Sequence, residues 1–136
     1  MKGWFLQSVG ALFLWGLWSF IPKISVRYID PKSAFLFEML GAFLVACWIF
    51  VSVGFKPSLS FLAVVLSIIT GVVGAVGVLF FLSAVSKGPV SVVTAISSLY
   101  PAITLILAFV FLNESISFKQ LLGIVLGVFA IILIVS

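Results

Sequence analysis

Five apolar runs, each about the length of a membrane crossing, fix what this chain can become. They fall at residues 4–21, 34–53, 61–83, 90–112 and 118–135. A transmembrane helix needs roughly 20 mostly apolar residues, with a range of about 17–25. The whole chain carries only seven basic and three acidic side chains in 136 residues. Soluble domains are about 25% charged. At 7% charged and 65% hydrophobic, this chain has too few ionic groups to cover a surface facing water. The expectation is an all-α membrane protein, one domain over residues 1–136, built as a bundle of five transmembrane helices.

The same scarcity excludes several function classes. A net charge of +4 points to nucleic acid when the bases cluster, but here they stand singly in the connections. That pattern belongs to membrane topology and lipid headgroups, so no nucleic-acid partner is expected. There is no histidine, which removes the commonest metal ligand and neutral-pH proton carrier. Cys47 is alone in an apolar run, and no two carboxylates share a helix face. An enzyme, a metal site and a cofactor are therefore not expected. The opening "MKGWFLQSVGALFLWGLWSFIPK" has no small-x-small cleavage site and carries three tryptophans, so it reads as a retained span and not a signal peptide.

The connections carry turn chemistry. In "YIDPKSA", Asp30 can cap the second helix with Pro31 in its first turn. In "NESISFKQ", Ser117 and Gln120 have the spacing of a capping box for the last helix. Lys2, Lys56 and Lys119 fall on one side of the membrane, and Lys23, Arg27, Lys32 and Lys87 on the other. So small a bias fits a fixed topology with a weak signal, and equally a dual topology in which copies insert both ways.

Polar side chains sort onto helix faces. On the first span Trp4, Gln7, Ser8, Ala11, Trp15, Trp18, Ser19 and Pro22 share one side. Trp4 and Trp18 suit the headgroup layer, whereas Trp15 lies deep, where an indole needs a partner inside the protein. On the fourth span Ser91, Thr94, Ser97, Ser98, Tyr100, Pro101 and Thr104 occupy about half the circumference. Pro101 removes a donor and clashes with the carbonyl of Ser97, which predicts a kink there. Two readings stand. The hydroxyls pack and bond helices together, or they line a polar cavity near the midplane, where transporters hold substrate. In the second reading Trp15, Ser19, Ser97, Ser98, Tyr100, Pro101 and Thr104 form the substrate path.

Glycines and one acid complete the set. Gly71, Gly74 and Gly77 share a face of the third span, and Gly123 and Gly127 make a G-x-x-x-G in the fifth. They suit close helix packing, within the chain or against a second copy. Glu38 is the single ionisable residue well inside a span. A charge there costs at least about 2.5 kcal/mol at the bilayer centre. Glu38 lies about one turn below its helix end, so it can reach the headgroups, pair with Lys32 or Arg27, or act as a proton carrier.

The run "SSLYPAITLILAFVFLNESISFKQLLGIVLGVFAIIL" resembles the C-terminal half of the EamA unit of the drug/metabolite transporter superfamily. The matching residues are Ser97, Ser98, Pro101, Glu114, Gln120 and Gly123, and "LFLWGLW" is similar to the family's Trp-Gly at Trp15 and Gly16. Typical members carry two five-helix units in inverted orientation. This chain has one and looks like the single-unit branch, with Glu38 where members often have a base. The resemblance implies secondary transport, commonly export, of a small metabolite or drug-like molecule across the plasma or inner membrane. It also implies a homodimer, antiparallel if the two copies mimic the inverted repeats. The competing expectations are an accessory subunit of a membrane complex and a flippase for a lipid or lipid-linked sugar.

Overall fold

The computed structural model describes residues 3–135; Lys2, which entered the charge comparison, lies outside them. Six helices follow one another: α1 Gly3–Ser25, α2 Pro31–Ser52, α3 Phe61–Lys87, α4 Val90–Ser97, α5 Tyr100–Leu112 and α6 Phe118–Val135. Residues Val90–Leu112 form one interrupted span, so five segments are long and apolar enough to cross a membrane. No strand occurs among the described residues. The protein is all-helical, as expected, with five segments able to span a membrane.

Helix ends follow local chemistry. The backbone N–H groups of Lys32 and Ser33 donate to Asp30 Oδ1 at 2.9 and 3.2 Å, with Pro31 in the first turn where no donor is lost. The Ser33 hydroxyl donates to the other carboxylate oxygen. These bonds, the hydroxyl's foremost, hold the Asp30 carboxyl below the ordinary aspartate value. At α6 the capping box closes both ways: Ser117 N–H donates to Gln120 Oε1 at 2.8 Å, and Gln120 N–H to Ser117 Oγ at 3.3 Å. After α2 the chain turns through Gly54 and Phe55, both at positive φ (63° and 60°). That conformation costs little for glycine but strains a phenylalanine. The Phe55 ring sits edge-on to Phe50 at 5.2 Å, a contact that offsets part of the strain.

The chain divides into two compact units, one ending at Lys87 and the other starting at Gly88. In the first, α3 packs against both α1 and α2. Its buried residues are Pro22, Ala34, Phe81, Leu82 and Val85, all near the α1–α2 turn and the C-terminal end of α3. Two helices run further than the sequence implied, and this core accounts for it. Beyond residue 21, α1 continues through the buried Pro22, and Val26 N–H reaches Pro22 O at 2.9 Å. Beyond residue 83, α3 continues to Lys87 so that Val85, 0% exposed, completes the core. The Lys23 ammonium donates to the Val85 carbonyl at 2.7 Å, satisfying an acceptor in the last turn of α3 where positive charge is favoured. Gly88 and Pro89 then stop the helix. In the second unit, α4 packs against α6, and no residue of α4, α5 or α6 is buried.

Candidate functional site

The fourth span breaks at Ser98 and Leu99 (φ, ψ of −68°, −3° and −77°, −4°). Pro101 is the cause. Its ring clashes with the carbonyl four residues back, Ser97, and it offers no N–H to that carbonyl. The chain tightens into a turn there: Leu99 N–H donates to Ile96 O at 3.2 Å and Ala102 N–H to Leu99 O at 2.9 Å, both spanning three residues. Ser98 Oγ donates to Ala95 O at 2.7 Å. Helix α5 then restarts with Pro101 in its first turn, where the missing donor costs nothing. The kink expected at Pro101 is thus a full interruption that lies two to three residues before it.

The break leaves α4 packed on α6 while α5 borders an open cleft of about 360 Å³. Tyr100, Pro101, Thr104, Leu105 and Ala108 supply one stripe of α5. Glu114, Ser115, Ile116 and Gln120 supply the connection and the first turn of α6. Local devices set the far wall. Asn113 caps α5 in the left-handed region (φ 53°) with its N–H on Ala108 O, and the Ser117 hydroxyl donates to Gln120 Oε1 at 2.8 Å. Thr104 Oγ1 donates to Tyr100 O at 3.2 Å and keeps its oxygen lone pairs as acceptors. On α4, Thr94 Oγ1 is buried with no hydrogen-bond partner among the described residues.

A second polar feature belongs to the first unit. The Trp18 indole N–H donates to Glu38 Oε1, and the Trp18 ring stacks on Phe81 at 5.3 Å. One side chain thereby touches both neighbouring helices. Beside it lies a cavity of about 230 Å³ lined by Trp18, Ala34, Phe37, Glu38 and Leu82 among others. Glu38 pairs with neither Lys32 nor Arg27; its partner is the indole. The headgroup role considered for Trp18 gives way to this inward contact, because a carboxylate inside a span needs a donor.

The structure brings Tyr100, Pro101 and Thr104 together in the cleft. Ser97 and Ser98 sit exposed at the break, outside its lining. Trp15 is 60% exposed on α1, and Ser19 Oγ donates to Gly16 O at 2.9 Å. A Cβ placed on Gly71, Gly74, Gly77, Gly123 or Gly127 meets nothing within 4 Å, so no close approach within either unit accounts for these glycines. Sequence reasoning passed over Glu114 and Gln120 as lining residues, although both stand in the motif that carried the resemblance. It also missed the Trp18–Glu38 contact, since nothing in one sequence pairs residues twenty apart.

Five crossings and an interrupted, polar-faced span define a multi-pass integral membrane protein. The EamA-like transporter family profile matches residues 2–136. The chain belongs to that family, within the drug/metabolite transporter superfamily. It is similar to an uncharacterized protein of Methanocaldococcus jannaschii, 41% identical over 68 residues, half of this chain and half of that protein. No solved structure matches it.

Proposed function

We propose that the chain is a secondary transporter that exports a small metabolite or drug-like molecule, working as a dimer by alternating access in the plasma or inner membrane. The observation that carries this reading is the cleft beside the interrupted span, where Tyr100, Thr104, Glu114 and Gln120 face a volume suited to a small solute. Non-helical backbone at membrane depth is tolerated where it is buried in protein or lines a cavity, and transporters build their sites on such discontinuous helices. The break at Ser98–Leu99 is the hinge in this scheme, since Leu99 N–H and Ala102 N–H make three-residue turns there in place of a regular α-helical ladder. Ser97 and Ser98 are assigned to the substrate path at the hinge. Trp15 and Ser19 are assigned to it from the polar face of α1.

Glu38 is assigned proton coupling, with Trp18 holding its charged form. The open faces at Gly71, Gly74, Gly77, Gly123 and Gly127 are assigned to contact with a second copy, where the absence of a side chain lets backbones approach. The family points to transport and not to catalysis, and the reading needs no cofactor and no nucleic acid. The test combines a reporter on the C-terminus with crosslinking of a Gly127→Cys variant in a Cys47→Ala background. Labelling on both membrane sides with antiparallel crosslinks is the expected result. A single side with no self-crosslink, and co-purification of an unrelated membrane protein, replaces the dimeric transporter with an accessory subunit.

A further inference from the structure

We infer that the cleft in the second unit takes an amine cation with a short apolar body, its ammonium on Glu114 and its far end on Thr104. The inference rests on the reading of that cleft as the substrate site and names the class of solute it selects. The argument starts from the order of groups along α5. Thr104 and Ala108 are one turn apart on one stripe. Thr104 lies eight residues before Leu112, about 12 Å down the helix, and Glu114 follows the helix cap at Asn113. The cleft is therefore polar at its membrane-surface end, apolar along Leu105 and Ala108, and polar again at Thr104.

Charge decides the class. Glu114 is the one acidic side chain in the lining, which contains no lysine or arginine. Lys119, the nearest base in the sequence, precedes the lining residue Gln120 by one position, about 100° around α6. An anion entering the cleft exchanges its hydration for hydroxyls and an amide while facing a carboxylate. A cation exchanges its hydration for that carboxylate. The Thr104 oxygen, already donating to Tyr100 O, is left as an acceptor, so the far end of the solute is a hydrogen-bond donor. Tyramine has this sequence of groups, while tyrosol, with a hydroxyl for the amine, has the same body without the charge.

The test uses the full chain in nanodiscs with Cys47→Ala and Ala108→Cys, at low ionic strength where surface charge is least screened. Labelling rates are measured for a cationic (trimethylammonioethyl) and an anionic (sulfonatoethyl) methanethiosulfonate, each normalised to a free thiol. The expected cation preference is about 25-fold at contact distance in water, since one unit charge speeds the cation and slows the anion by about fivefold each. Glu114→Gln should bring the ratio close to one, and Glu114→Asp should keep it. Tyramine should slow the labelling, and tyrosol should do so far less. Equal rates for the two reagents, or a ratio indifferent to Glu114→Gln, overturn the amine class while leaving a reachable cleft. Failure of both reagents to label Ala108→Cys removes the cleft itself as a site, and the inference with it.

Discussion

The two units solve the same problem in opposite ways. In the first, α1, α2 and α3 converge on a small core of Pro22, Ala34, Phe81, Leu82 and Val85, and their polar groups meet across helices: Trp18 with Glu38, Lys23 with the Val85 carbonyl. In the second, no residue of α4, α5 or α6 is buried, and the fourth span is cut in two beside a cleft. Lipid tails are as apolar as leucine, so helix association in a membrane depends on packing contacts and interhelical hydrogen bonds. By that measure the first unit is the more firmly held of the two.

Four measurements can break or sharpen this contrast. Leu82, 1% exposed, should be the most sensitive position. Leu82→Ala is expected to cost about 2–5 kcal/mol in denaturant titrations of the purified protein, and a change under 1 kcal/mol would deny the first unit its core. Trp18→Phe keeps a ring against Phe81 but removes the N–H that Glu38 accepts. A loss of about 1–2 kcal/mol is expected, with little further loss when Glu38→Gln is added; full additivity would show that the pair does not act as one. Pro101→Ala should change stability by less than about 1 kcal/mol, because the proline stands in a first turn, yet it should slow transport by rejoining α4 and α5. Unaltered turnover would make the break purely structural.

The smallest effect concerns Asp30. Its carboxyl is held below the ordinary value of 3.8 by the Ser33 and Lys32 bonds, so folding favours the ionised form. That contribution is fully present above pH 3.8 and is lost as pH falls through the lower folded-state value. Stability curves of the natural chain and of Asp30→Asn should therefore differ at neutral pH and merge in acid. Curves that stay apart would place the effect outside the titration of this group.

What was legible in the sequence follows the range of the interaction. Asp30 with Pro31, and Ser117 with Gln120, were readable because capping joins residues at most three apart and few side chains can do it. The spans were readable because the bilayer imposes a length. Pro101 announced a disturbance, but the break lies two to three residues before it. The cleft was only half visible. Tyr100 and Thr104 stood out as polar groups on an apolar helix, but Glu114 and Gln120 lie in a connection where polar residues are ordinary. The long-range contacts left no trace at all, since Trp18 with Glu38 and Lys23 with Val85 are matched by three-dimensional packing and not by period.

The Lys23 contact also bears on how the protein is made. Its acceptor, the Val85 carbonyl, comes 62 residues later in the chain. A nascent chain that has emerged only as far as α2 holds an ammonium whose eventual partner does not yet exist, and the headgroup layer must hold it meanwhile. The hairpin of α1 and α2 is thus provisional during synthesis. It is locked only when the last turn of α3 arrives, so assembly of the first unit is timed by the third crossing.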